Sequence, residues 1–156
     1  MLLWFRQKIQ AMSWKISLST DQSRKSKITV HAVAGLIMRD GMLLVAERPE
    51  GKPYSGYWEF PGGKVEDNEE AAAAIQRELR EELGIEVVQA ERWFEHLHAY
   101  PDKTVLLELW QVSEFKGEPA GMEGQVLRWV SYEELLHLQL LEGNLAILSH
   151  VKSLFN

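Results

Sequence analysis

A chain of 156 residues is long enough for one domain around one core. Its 46% hydrophobic and 26% charged residues are a globular rather than a disordered composition, and the lack of cysteine excludes disulfides and thiolate metal sites. A formal charge of −6 argues against a broad duplex-binding surface, whose affinity comes from neutralising phosphates, but leaves small phosphate ligands open because a bound cation supplies local positive charge.

Any metal must be held by carboxylate, carbonyl, imidazole or water, which favours Mg²⁺ with Mn²⁺ as the alternative. No run approaches the roughly 20 apolar residues that span a bilayer. At the N-terminus the apolar residues precede Arg6, whereas a signal peptide puts its basic residues first. A cytoplasmic location and no membrane partner are expected. Whether the protein is a monomer or a dimer is not encoded in any motif.

Residues 1–27 stand apart as an apolar-basic stretch followed by a Ser/Thr/Lys/Arg-rich run, and are expected to be a loosely ordered extension. The alternative is a surface helix that meets a partner or a membrane. The domain proper is expected over 28–156. Residues 28–38 read as a strand, Asp40-Gly41 as a hairpin turn and 42–46 as the partner strand. The Pro/Gly/Ser-rich stretch 48–57 reads as a loop, and Trp58-Glu59-Phe60 as a short strand running into the Gly62-Gly63 turn. Asp67 or Asn68 is expected to cap a helix with Glu69 and Glu70 in its first turn and Gly84 at its end. Further strands are expected over 85–88, 93–99, 103–112 and 125–130. Ser131 and Glu134 form a capping box, and Asn144 precedes a last apolar-periodic run. Strands first and helices interleaved give an α+β class, an α/β/α sandwich.

Within the long helix Glu78, Glu81 and Glu82 stand at i, i+3 and i+4 on one face, while Ala72, Ile75, Leu79 and Leu83 form the face to bury. Three like charges on one stripe repel, and a divalent cation with a preference for oxygen removes the repulsion. Taken alone, such a face is more often solvated, with Arg77 and Arg80 as salt-bridge partners. The stripe does not stand alone, because Gly62-Gly63 upstream lets a backbone carbonyl approach an ion. The segment from Gly63 to Ile85 fits the pattern GX5EX7REUXEEXGU, U being a bulky aliphatic, at all nine fixed or restricted positions in 23 residues: Gly63, Glu69, Arg77, Glu78, Leu79, Glu81, Glu82, Gly84 and Ile85.

This segment resembles the Nudix box. The resemblance implies the Nudix fold, an α/β/α sandwich with a mixed central sheet and a loop–helix–loop that holds divalent metal against a diphosphate. It implies Glu78, Glu81 and Glu82 as metal-binding carboxylates, the carbonyl near Gly62 as a further ligand, and Arg77 as the group that orients a glutamate of the box. Glu69 would be structural or an outer-sphere ligand. From about Val30 onward the chain looks like the MutT-type branch, on the strength of WEFPGGKVE (58–66) and GEPAGMEGQ (117–125). That branch implies Glu123 as a metal ligand or general base, against the plain alternative of an exposed loop glutamate. It implies Asn144 as the reader of an oxidised guanine edge, since an amide both donates and accepts; the alternative is a simple helix N-cap. Arg48 and Phe60 match positions near the base, with a surface charge and a core aromatic as their plain alternatives.

The expected activity is Mg²⁺-dependent hydrolysis of a small nucleotide, 8-oxo-dGTP and dGTP, to monophosphate and pyrophosphate, with no nucleic acid duplex as partner. Residues 145–146 are Leu-Ala where the best-known MutT enzymes have Glu-Pro, and the 48–57 loop also differs from theirs. A pyrimidine (CTP or dCTP) or other nucleoside diphosphate-linked substrate is therefore the alternative. A nucleotide-binding module without catalysis stands further off, because its usual mark is a broken box.

Overall fold

The computed structural model describes residues 28–52, 54–99 and 103–156, so the expected extension over 1–27 lies outside the described residues. Strand β1 (Ile28–Arg39) turns at Asp40 (φ 52°) and Gly41 (φ 73°) into β2 (Met42–Glu47), two positive φ values of the kind a two-residue hairpin needs. Strands β3 (Trp58–Glu59) and β4 (Gly62–Lys64) lead into helix α1 (Ala71–Leu83). Then come β5 (Glu86–Ala99), β6 (Lys103–Lys116) and β7 (Val126–Val130). Helix α2 (Tyr132–His137), the short turns α3 (Glu142–Leu145) and α4 (Leu148–Val151), and a 3-10 turn (Lys152–Phe155) close the chain.

The strands form one mixed sheet in the order β3-β2-β1-β6-β5, with β4 also paired to β1 and β7 to β2. Strands β1 and β6 run parallel from Ile28↔Lys103 to Ile37↔Val112, and the other ladders are antiparallel. Alternation along β1 divides the core. Val33 and Ile37 pack with Ile75, Leu79 and Leu83 of α1, while Val30, Ala32 and Leu36 pack with Leu135, Leu141, Ile147 and Val151 on the opposite face. One helix covers one side and the C-terminal turns the other, which is the expected α/β/α sandwich. Among the described residues no helix is long and apolar enough to cross a membrane.

The structure departs from the sequence expectations in five places. The Gly62-Gly63 pair is not a turn but the start of β4, registered as Ala34↔Gly62 and Val33↔Gly63. Helix α1 begins later than expected: Glu70 holds the N-cap position without a side-chain cap, and the first turn carries no acid. Asn68 takes a left-handed φ of 61°, and the Glu69 N–H bonds back to the Glu66 carbonyl at 3.1 Å, so residues 66–69 form a turn of their own. Ala72 stays exposed and Ala74 is buried in its place, shifting the buried stripe toward Glu78. The strands expected at 85–88 and 93–99 are one strand, β5, with register shifts between Val87 and Ala90 and between Arg92 and Phe94 that break the alternation a sequence reading relies on. Asn144 is not an N-cap: it lies inside α3, and Ile147 holds the N-cap position of α4. The Ser131 capping box, by contrast, is present with both of its hydrogen bonds.

Candidate active site

Helix α1 lies across β4, and their contact builds the site. Glu78 is buried, at 8% exposure, and its carboxylate occupies the space above Gly63. A Cβ at Gly63 would fall on that carboxylate, so the missing side chain is what admits the acid. The Gly62 N–H donates to Glu82 Oε2 at 3.2 Å, so a second carboxylate of the stripe also reaches the β4 backbone.

Arg77 ties the carboxylates together. Its guanidinium forks onto Glu69 at 2.7 and 2.9 Å and donates to Glu78 at 3.0 Å, to Glu81 at 3.3 Å and to the Lys64 carbonyl at 3.0 Å. The charge-assisted bonds to Glu69, and then to Glu78, hold the guanidinium proton more tightly than usual. In return Arg77 holds the Glu69 carboxyl below the usual carboxylate range. Glu69 is thereby placed as an anchor for Arg77 rather than as a first-turn charge on the helix.

Among the described residues no three acidic or imidazole side chains already converge on one point. The donor set nevertheless fits a hard divalent ion. Glu69, Glu78 and Glu81 crowd one guanidinium within 3.3 Å, and Glu82 stands on the same stripe, so negative charge is in surplus. All the side-chain donors are oxygens, which Mg²⁺ and Mn²⁺ prefer.

Glu123 lies in the loop between β6 and β7, half exposed, with its carboxylate 3.8 Å from Lys52 Nζ. The loop is seated on the C-terminal end of α1: Ala120 N–H donates to the Leu83 carbonyl at 3.0 Å and Met122 N–H to the Glu82 carbonyl at 3.1 Å. The fold thus brings the loop of Glu123 to the helix end that carries Glu82.

Asn144, Phe60 and Arg48 gather around β3. The segment before α3 clips onto this strand through Trp58 N–H to the Gln139 carbonyl (2.9 Å) and Leu141 N–H to the Trp58 carbonyl (3.0 Å). Asn144, at 4% exposure, accepts from the Phe60 N–H through Oδ1 at 3.4 Å, while its Nδ2 is buried with no hydrogen-bond partner among the described residues. The Phe60 side chain lies in the core between the sheet and the C-terminal turns. Arg48 is buried 3.5 Å from the Glu59 carboxylate. A cleft of about 390 Å³ is lined by Glu47, Arg48, Pro49, Glu50 and Ser55 together with Gly124 and Val126, the last paired with Glu47 across the sheet. Arg48 and the neighbour of Glu123 thus line one space.

Sequence reasoning passed over Glu59, Lys52 and Gln125. Glu59 carries a weak signal, an acid between two aromatics in a short strand. Gln125 carries another, an amide two residues beyond Glu123 in the quoted motif. Their contacts come from residues distant in sequence, which no local pattern reports.

The NUDIX domain family model matches residues 29–151. The chain belongs to the Nudix family, among the MutT-type hydrolases. It is 40% identical over 119 residues to the CTP pyrophosphohydrolase of Escherichia coli (strain K12), an alignment covering 76% of this chain and 88% of the relative. It is 39% identical over 99 residues to the 8-oxo-dGTP diphosphatase of Proteus vulgaris, covering 63% of this chain and 88% of the relative. A solved MutT structure, from work on the Aliivibrio salmonicida and Vibrio cholerae proteins, superposes with a TM-score of 0.68 at 33% identity and covers 81% of this chain and 97% of its own.

Proposed function

We propose that this protein is a divalent-metal-dependent nucleoside triphosphate pyrophosphohydrolase that clears 8-oxo-dGTP, and dGTP less well, from the nucleotide pool. The observation that carries the base assignment is the Asn144 amide. Leaving a buried donor unmade costs about 1–3 kcal/mol, a cost that a ligand acceptor relieves. Because Oδ1 is engaged by the Phe60 N–H, the function Asn144 offers is a donor. An exocyclic carbonyl satisfies a donor: guanine presents one on C6, at the far edge of the base, whereas adenine has none and cytosine only the C2 carbonyl beside its glycosidic bond.

Glu78, Glu81, Glu82 and the Gly62 carbonyl would hold the metal. When bound, Mg²⁺ or Mn²⁺ supplies charge neutralisation for the diphosphate and acidifies water. Arg77 orients Glu78 and Glu81. Glu123, from the loop, serves as a further ligand or takes the proton of the attacking water. Water oxygen bonds to one phosphorus, the anhydride P–O bond breaks, and monophosphate and pyrophosphate leave. Arg48 borders the base, whereas Phe60, expected to line the base pocket, is a core residue whose backbone N–H braces Asn144. Residues 28–156 form the hydrolase domain and 1–27 an extension. The substrate is a free cytoplasmic nucleotide, and neither duplex nor membrane takes part.

A cytosine nucleotide is the second reading, favoured by the 40% identity to a CTP pyrophosphohydrolase. Turnover of 8-oxo-dGTP, dGTP, CTP and dCTP with Mg²⁺ separates the two. 8-oxo-dGTP is expected to have the highest kcat/KM, and Asn144→Ala to cut its advantage over CTP by about 10- to 100-fold, the equivalent of one buried hydrogen bond. Equal or better turnover of CTP or dCTP sinks the guanine assignment. An unchanged ratio in Asn144→Ala reduces Asn144 to a brace for the Phe60 backbone.

A further inference from the structure

The last carbonyls of a helix have no partner within it. At the end of α1 the 117–125 loop supplies them, through the Ala120 and Met122 N–H groups already described. Gln125 adds a bridge of another kind. Its Nε2 donates to the Glu82 carbonyl at 2.9 Å, and its Oε1 accepts from the Glu123 backbone N–H at 2.8 Å. One planar amide therefore joins the backbone of Glu82 to that of Glu123. A carboxamide carries a strong donor and a strong acceptor side by side on one planar group. The loop packs closely beside it: a Cβ at Gly121 would fall on the main-chain carbonyl oxygen of Gln125 and lie 3.2 Å from its side-chain Oε1. At the other end of the loop Arg39 forks onto Glu118 at 2.9 and 3.0 Å and lies 4.2 Å over the Trp129 ring.

We propose that Gln125 is a positioning residue for the hydrolysis, its amide setting where Glu123 stands relative to the carboxylate stripe that ends at Glu82. This rests on the reading of Glu123 as the ligand or base from outside the box. Among the described residues the Glu123 side chain has one ion pair, 3.8 Å to Lys52 with both groups half exposed, and such a pair is worth little. Placement of Glu123 therefore falls to its backbone; the Met122 N–H holds the residue before it to the Glu82 carbonyl, and the Gln125 bridge is what ties the Glu123 N–H itself to α1.

The test compares Gln125→Ala and the isosteric Gln125→Glu, each alone and combined with Glu123→Gln, in the full chain with Mg²⁺ and either 8-oxo-dGTP or CTP. Gln125→Glu keeps the size of the side chain but replaces the donor toward the Glu82 carbonyl with a charged acceptor. Both variants are expected to lower kcat by about 10- to 100-fold with KM little changed, as small misplacements of a reacting group do. Added to Glu123→Gln, neither is expected to lower kcat further, because residues that act through one another are not additive. In the free protein, hydrogen exchange at the Glu123 amide is expected to quicken in Gln125→Ala, which removes its acceptor, while the amides of α1 stay protected. Wild-type kcat in either variant, unchanged exchange at Glu123 in Gln125→Ala, or a loss that simply adds to that of Glu123→Gln overturns the proposal alone. Full turnover in Glu123→Gln overturns the reading of Glu123 and the proposal with it.

Discussion

Glu82→Gln is expected to lower kcat by about 10²- to 10³-fold, the scale seen when one stabilising group is removed from a charged transition state. The substitution isolates charge from shape. Glutamine has the same size and retains an oxygen able to accept the Gly62 N–H, now bonded to Glu82 Oε2 at 3.2 Å. The contact between α1 and β4 therefore survives, and the melting temperature is expected to hold or rise slightly, because one of three like charges within a helical turn is gone. What disappears is a full negative charge at the point where the stripe meets the glycine strand. Steady-state release of pyrophosphate, set beside a thermal melt, reads both halves of the expectation. Undiminished turnover would remove Glu82 from the chemistry, and a collapsed melt would make it a structural residue.

Arg77→Ala is expected to be the most destabilising change in the box, by about 2–4 kcal/mol, because it leaves charged acceptors without their donor. One guanidinium reaches Glu69, Glu78, Glu81 and the Lys64 carbonyl, all within 3.3 Å. Glu78 is the costly member, buried against Gly63 with its carboxylate on the removed cation. Arg77→Lys is expected to recover little, since an ammonium cannot fork onto Glu69 while also reaching the helix and the β4 carbonyl. The same network makes stability depend on pH. The Glu69 carboxyl titrates below its usual range because of Arg77, so its contribution is fully present above the unfolded value of about 4.3 and is lost as pH falls through the folded value. Urea unfolding of wild type from neutral pH down to strongly acidic pH should show that loss. Arg77→Ala should be weaker at neutral pH and flatter below it. Parallel curves for the two proteins would mean that Arg77 and Glu69 are not coupled as described.

The parts of this site that were legible in the sequence are those that one helical turn determines. The i, i+3, i+4 spacing puts Glu78, Glu81 and Glu82 on one stripe whatever else the chain does, and Gly84 closes the helix. What the sequence hid depends on partners elsewhere. Gly62-Gly63 looks like a turn because glycine pairs usually are; its pairing with Val33 and Ala34 turns it into a strand, and that strand decides that Glu78 is the buried carboxylate. The approach to the helix was misread because Asp67 and Asn68 are good caps in isolation, yet the turn over 66–69 delivers Glu69 to Arg77 instead. For Asn144 a plain cap stands as the alternative to a base contact until Phe60, 84 positions away, takes its oxygen. The tie between Gln125 and Glu82 spans 43 positions and leaves no local trace.

Product analysis of the purified protein with 8-oxo-dGTP and Mg²⁺ tests the central claim most directly. The expected products are 8-oxo-dGMP and pyrophosphate in equal amounts, none without a divalent ion, with turnover reduced at least a hundredfold in Glu82→Gln. Release of the diphosphate with inorganic phosphate, or nucleotide binding without any cleavage of 8-oxo-dGTP, dGTP, CTP or dCTP, would contradict it.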